Sequence, residues 1–407
     1  MSALSRSLFL LAAAGAPLAT GFEAQAQTAP PPAAPNLKRS LVLSGGGALG
    51  AYEAGVVAQL VAAAGISDGR ALPQYGAIAG TSIGALNGYL VATAQWTKLR
   101  SLWSAVAAQD AVQVKPQFAK IKNETSGVGN RIAQAIALGT GVKKNVAGIY
   151  DGERLQKWLE TYVDFTKPVV TPFFWAVTNL TRQVPEYFYL LPAGITPEQR
   201  RLALASVSLS VGALVTVREA TPALLAEQLR ASASVPIGFD PVALPGPDGA
   251  PEQYCDGGVT ANTPIGVARA LSSAVDVVLL SPPKKKMAYH NIIEIIGGSY
   301  GTMQGRLMYD ALRTAALQTL VLRAIRNLPA TALPAMEIQM EYNPAQLREL
   351  ADLLYNVEFF FVRPKEALPG TLLGFDDPDS IYQSYTIGER DAAAGFVPLT
   401  YDVLDAD

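Results

Sequence analysis

Tyr75-Gly76-Ala77-Ile78-Ala79-Gly80-Thr81-Ser82-Ile83-Gly84-Ala85-Leu86-Asn87-Gly88 decides how the rest of the chain is read. A short run of small and apolar residues, suited to a buried strand, stops at Gly80. A helix-compatible run then continues through Leu90, Val91 and Ala92. Between them lies G-x-S-x-G, centred on Ser82. A serine hydroxyl becomes a usable nucleophile when a sharp strand-to-helix turn holds it clear of the packed interior. Such a turn strains the serine backbone and draws strand and helix together, so positions 80 and 84 must be very small. The helix that begins there aims its positive end at the reacting centre.

The pattern occurs a second time, as Gly297-Gly298-Ser299-Tyr300-Gly301. Before Ser299, however, Asn291-Ile292-Ile293-Glu294-Ile295-Ile296 places isoleucines at i, i+3 and i+4 with a charge between them. That spacing predicts one face of a helix rather than a buried strand, so Ser82 is read as the elbow.

Upstream, Lys38-Arg39-Ser40-Leu41-Val42-Leu43-Ser44 predicts the first strand, running into Gly45-Gly46-Gly47-Ala48-Leu49-Gly50. Tyr52, Val56, Val57, Leu60 and Val61 then share a helical stripe. The loop fits the dinucleotide fingerprint G-x-G-x-x-G, but no acidic residue closes a second strand at the required distance; Asp68 sits in a turn with Gly69. It is not a P-loop, since no Lys-Ser/Thr pair follows. Consecutive glycines beside a helix N-terminus also let several backbone N–H groups converge on one developing negative charge. With the elbow so close downstream, this oxyanion reading is preferred. Both loops would leave the carboxyl ends of parallel strands, where α/β sheets place their sites.

The third informative stretch is Tyr254-Cys255-Asp256-Gly257-Gly258-Val259-Thr260-Ala261-Asn262-Thr263-Pro264. Asp followed by two glycines is ordinarily a turn. It also holds an aspartate on a tight loop, in position to meet Ser82. A serine hydrolase needs a base within hydrogen-bond reach of its hydroxyl, and the chain has one histidine, His290. Either His290 serves, in the α/β-hydrolase order Ser82, Asp256, His290, or a carboxylate acts directly. His290 follows Lys284, Lys285 and Lys286, a run that reads as a solvated turn. A dyad without imidazole predicts no titration near pH 6.5.

The chain has 407 residues, half of them hydrophobic, and a net charge of −2, which argues against a nucleic-acid partner. One cysteine excludes an internal disulfide, and one cysteine with one histidine excludes a zinc site of the usual kind; no cofactor is expected. Arg6, the apolar residues 8–19 and Ala24-Gln25-Ala26 read as a signal peptide over residues 1–26, with an uncleaved anchor as the alternative. Residues 27–37 are a Pro/Ala-rich linker. The signal peptide predicts export to the periplasm or outside the cell. After the leader no uninterrupted apolar run is long enough to span a bilayer, so the mature chain reads as soluble or peripheral. Residues 38–270 are read as the catalytic core and 271–407 as the C-terminal part of the same α/β domain.

Elsewhere the patterns predict a helix over Trp96, Leu99, Leu102 and Trp103, a surface loop over residues 120–130 within an insertion, and a helix over 151–162. They also predict a buried strand over 172–179 with residues 186–191 as its hairpin or edge neighbour, and a strand over 276–280. Residues 221–239 predict a helix that ends in Ala231-Ser232-Ala233-Ser234-Val235-Pro236, small enough to approach another element closely. Alternating strand and helix patterns point to an α/β fold.

Taken together, the glycine loop, the Ser82 elbow and the Asp256-Gly257-Gly258 turn resemble the patatin-like phospholipase family, which carries these three motifs in this order. The resemblance covers about residues 39–266, includes the small-residue stretch ending at Pro236, and extends loosely to residues 357–376. Many members have Arg or Lys where this chain has Leu49. The resemblance implies a three-layer α/β/α fold with a mostly parallel central sheet. It implies an acyl-ester hydrolase acting on lipids, of phospholipase A or lysophospholipase type, with peripheral membrane contact. Ser82 would be the nucleophile, Asp256 the proton acceptor, and Gly45, Gly46, Gly47 and Ala48 the oxyanion hole, with Gly50, Gly80, Gly84, Gly257 and Gly258 completing the motifs. An inactive binding relative in the cell envelope is the alternative class.

Overall fold

The computed structural model describes residues 39–106, 112–113, 115, 148, 150–212, 214–281, 292–327, 349, 351–354, 356–370, 372, 374–375 and 377–399. Of these, residues 317–327, 349, 351–354 and 356 belong to one unit, in which Arg326 pairs with Asp352 at 3.3 Å, and the remainder to another. Readings that concern residues 1–38, the loop at 120–130, Lys284, Lys285, Lys286 and His290 fall outside the described residues.

In chain order the main elements are β1 (Arg39–Leu43), α1 (Gly50–Ala64), β2 (Tyr75–Thr81), α2 (Ile83–Ala92), α3 (Trp96–Val106) and α4 (Gly152–Tyr162). They continue with β3 (Phe173–Asn179), β4 (Val184–Leu190), α5 (Pro197–Val211), β5 (Thr216–Glu219), α6 (Leu225–Ser232), β6 (Val242–Pro245) and β7 (Pro251–Asp256). The last are α7 (Ile265–Leu271), β8 (Ala274–Val278), α8 (Ile292–Asn327), β9 (Glu358–Val362), α9 (Pro378–Ala393) and β10 (Val397–Pro398). One sheet runs in the order β10-β9-β8-β1-β2-β3-β4-β5, and from β9 to β3 every pairing is parallel. The expected neighbour of β3 is its antiparallel hairpin partner β4, which is not an edge because β5 pairs with its far side. The second G-x-S-x-G lies inside α8, so Ser299 sits on helical backbone and not on an elbow.

Alternation along the strands builds two cores. Phe173, Trp175 and Val177 of β3 and Phe188 of β4 join a cluster with residues of α1, α2, α3, α4, α6 and α9. Phe174, Ala176, Tyr187 and Tyr189 point the other way, against Val207 of α5 and Val267 and Ala270 of α7. Helices therefore cover both faces of a mostly parallel sheet. Among the described residues, one stretch, Gly47–Ala64, is long and apolar enough to cross a membrane. Every residue from Gly50 to Val57 is buried, Glu53 included, as in a core helix.

One feature of the topology positions the site. The first half of β3 pairs with β2, ending at Thr81 opposite Ala176. The second half pairs antiparallel with β7, beginning with Asp256 opposite Val177. Two strands thus occupy one edge of β3 end to end, and their carboxyl ends meet.

Candidate active site

β2 ends at Thr81 and α2 begins at Ile83, which leaves Ser82 alone on the turn. Its backbone sits at φ 56°, ψ −125°, a conformation that costs a non-glycine residue on the order of 1–3 kcal/mol. A Cβ on Gly80 would lie 2.3 Å from the Gly84 carbonyl oxygen, and one on Gly84 would lie 2.3 Å from that of Leu43. Close backbone approach, as the motif requires, is what excludes any larger residue. The strained turn is clamped from the end of α6: Ser82 N–H donates to Ser232 Oγ at 2.9 Å, and Ser232 donates to the Ala176 carbonyl at 2.6 Å.

Asp256 arrives from the opposite direction. Ser82 Oγ donates directly to Asp256 Oδ2 at 2.5 Å, and the Gly258 N–H donates to Oδ1 at 2.6 Å. Asp256 is fully buried and Ser82 is 2% exposed. Burial pushes the Asp256 carboxyl up from 3.8 to about 7, against the opposing pull of the hydrogen-bonding groups of Ser82, Gly258 and Tyr300. A carboxylate therefore titrates in the window expected of an imidazole. The expectation that a dyad lacks a titration near pH 6.5 is corrected on this ground, because the reading from sequence had no measure of desolvation.

The glycine loop lies against the nucleophile, for a Cβ on Gly45 would come within 3.2 Å of Ser82 Cβ. Its four amides divide into two classes. Gly45 N–H donates to the Asn262 carbonyl at 3.0 Å and Ala48 N–H to that of Leu372 at 2.9 Å. Gly46 and Gly47 have no such carbonyl partner among the described residues. Gly47 holds φ at +56°, and a Cβ there would lie 2.0 Å from the Leu372 carbonyl oxygen.

A narrow, partly open cleft reaches Ser82. Its walls include Leu86, Trp103, Val106, Leu155, Trp158 and Phe239, and no lining residue carries a charge. Trp103 is held by Asn87: its Nε1 donates to Asn87 Oδ1 at 2.9 Å. Asn87 Nδ2 in turn donates to the Gly50 carbonyl at 3.0 Å and to Glu53 Oε2 at 3.1 Å. Burial holds the Glu53 carboxyl well above the usual carboxylate range, against the opposing hydrogen bond from Asn87. Among the described residues no group of three or more His, Cys, Asp and Glu side chains is gathered to hold a metal ion.

A family model described as patatin-like phospholipase matches residues 41–269, more than half of the chain and all three motifs. The chain belongs to that family. Membership supports lipid acyl hydrolase activity and implies a lipid substrate. The crystal structure of VipD from Legionella pneumophila is a structural neighbour at TM-score 0.34 and 14% identity, covering 92% of this chain and 67% of that one. A search of curated proteins finds no match. In this patatin-like site several contributors carry no recognisable motif. Ser232 and Asn262 lie in stretches singled out for other reasons, and their small or polar character was the available signal. Tyr300, whose hydroxyl lies near Asp256, falls in the second G-x-S-x-G stretch, which was read only as helix, and Gln304 one turn later on α8 carried no signal.

Proposed function

We propose that the protein is a serine lipid acyl hydrolase of phospholipase A or lysophospholipase type, working by a Ser82–Asp256 dyad. The observation that carries this reading is the direct hydrogen bond from Ser82 Oγ to Asp256 Oδ2 at 2.5 Å, made at a strained elbow beside an apolar cleft. An imidazole relay needs its ring between serine and carboxylate, and a contact this short leaves no room for one. As Oγ attacks the ester carbonyl, its proton passes to Asp256. Negative charge on the carbonyl oxygen is met by the N–H groups of Gly46 and Gly47, the two loop amides not engaged by carbonyls, and by the positive end of α2. The alcohol leaves with the proton from Asp256. Water then attacks acyl-Ser82, again with Asp256 as base, and the fatty acid is released. The uncharged cleft suits the acyl chain, with the headgroup left toward solvent or a membrane surface.

A fluorophosphonate probe should label Ser82, and purified protein should release fatty acid from phospholipid vesicles. Labelling at another serine, or an active Ser82→Ala protein, sinks the reading. Export is proposed on Arg6, the apolar run and Ala24-Gln25-Ala26. Mass spectrometry of the exported protein should show a start near Gln27, and a mature chain keeping Met1 counts against it.

A further inference from the structure

Beside the dyad, Asn262 Oδ1, the Tyr300 hydroxyl and Gln304 Nε2 are buried without a well-formed hydrogen bond, the Tyr300 hydroxyl lying within reach of both Gln304 and Asp256. Buried polar atoms nearly always find partners, so three gathered at one place point to a small polar molecule that joins them. None of the three residues lines the apolar cleft.

Two glycines mark where the groups sit. A Cβ on Gly45 would lie 2.4 Å from Asn262 Oδ1 and 3.2 Å from Ser82 Cβ. A Cβ on Gly258 would lie 2.5 Å from Gln304 Nε2, 2.7 Å from Asp256 Oδ1 and 2.9 Å from Asn262 Oδ1. Asn262 Oδ1 thus borders both the nucleophile and the base, with Gln304 Nε2 beside the base. The Asn262 amide is oriented by its Nδ2, which donates to the Gly45 carbonyl at 3.4 Å. Tyr300, one helical turn before Gln304 on α8, brings its hydroxyl close enough to Asp256 for each to perturb the other's charge. Asn262 is 4% exposed and Gln304 5%.

The groups comprise an acceptor, a donor and a hydroxyl that does either, all next to a carboxylate base. That is the hydrogen-bond set a water molecule needs when it must be held, oriented and deprotonated. We infer that Asn262, Tyr300 and Gln304 form an acceptor subsite that holds the water attacking acyl-Ser82. The inference rests on the dyad reading. In the step itself the water oxygen bonds to the acyl carbonyl carbon while one water proton passes to Asp256. The bond from that carbon to Ser82 Oγ then breaks, Oγ takes the proton back from Asp256, and the carboxylic acid leaves. A subsite for water acts on deacylation alone, since acylation does not use the water.

Gln304→Met removes the amide at nearly constant volume, and Tyr300→Phe deletes a single oxygen. Each protein is acylated with 4-nitrophenyl butyrate at about pH 9, where Asp256 is ionised. Excess ester is then removed, and the loss of the butyryl group from Ser82 is followed by intact-mass spectrometry. In both variants the nitrophenol burst should stay within about twofold of the parent while deacylation slows about tenfold or more. The acyl adduct should consequently accumulate at steady state. Deacylation at the parent rate overturns the inference, and so does an equal fall in burst and deacylation, which marks the residues as mere supports of Asp256. If Gln304→Met does not fold, Tyr300→Phe decides alone. A parent protein that never carries the acyl group on Ser82 overturns the dyad reading itself. An adduct that forms and decays normally in the variants overturns the subsite only.

Discussion

Asp256→Asn should abolish turnover and at the same time stabilise the protein above neutral pH. The amide keeps the shape of the carboxylate. Its oxygen accepts from the Gly258 N–H, and its Nδ2 donates to Ser82 Oγ, a hydroxyl that accepts as readily as it donates. What is lost is the capacity to take a proton. The magnitude follows from burial: the carboxyl titrates at about 7 in the fold against 3.8 when free, which at ~1.4 kcal/mol per unit amounts to about 4 kcal/mol. Because the folded value is raised, the folded state keeps its proton longer than the unfolded chain does. The stability is fully present below pH 3.8, declines as pH rises, and levels off once the folded carboxyl has ionised above about 7. The asparagine variant has no such titration. Between pH 5 and pH 8 its stability advantage should therefore grow by about 2.5 kcal/mol, read by urea unfolding of both proteins. Against a typical total of about 5–15 kcal/mol that is easily measured. An advantage that is the same at both pH values would falsify the claim that Asp256 ionises in a desolvated site. The same carboxyl governs activity, which should rise with pH to a plateau with its midpoint at about 7.

A Cβ on Gly46 would meet the Leu280 side chain, Cδ1 at 2.3 Å and Cβ and Cγ at 3.3 Å, rather than backbone, so Gly46→Ala should fold once Leu280 shifts; a displaced donor should cut turnover on the order of tenfold to a hundredfold. Full activity in that folded variant removes Gly46 from the oxyanion role. Gly47 is a poorer probe, because its substitution would drive a side chain into the Leu372 backbone. Ser82→Gly should be more stable than Ser82→Ala by about 1 kcal/mol or more, since only glycine relaxes at this turn; equal unfolding midpoints would show the elbow to be unstrained. His290→Ala should keep most activity with the pH midpoint unmoved. A folded His290→Ala protein as inactive as Ser82→Ala would put an α/β-hydrolase triad in place of the dyad.

Much of the site was legible because its causes are local. A nucleophile elbow is a constraint on five consecutive residues, and the clash that excludes side chains at Gly80 and Gly84 is set within one turn of chain and the strand beside it. The Ser299 motif could be discounted on the same terms: isoleucine spacing upstream called for a helix, and Ser299 lies inside α8. The loop after β1 was legible as an anion cradle, but not which amides were free. Partners for Gly45 and Ala48 come from Asn262 and Leu372, hundreds of residues away.

The residues alone determined that there is a hydroxyl on a strained turn, a glycine loop ahead of it and an aspartate on a tight turn behind it, alternating with strands and helices of an α/β domain. Each of these follows from sterics or periodicity over a few neighbouring residues. Tertiary structure decided that β2 and β7 share one edge of β3, which brings Ser82 and Asp256 together across 174 residues of chain. It also decided that Asp256 is fully desolvated, that Ser232 clamps the elbow, and that Tyr300 and Gln304 from α8 reach the base. Proton affinity and hydrogen-bond satisfaction depend on everything packed around a group, and that surrounding exists only once distant segments have folded together.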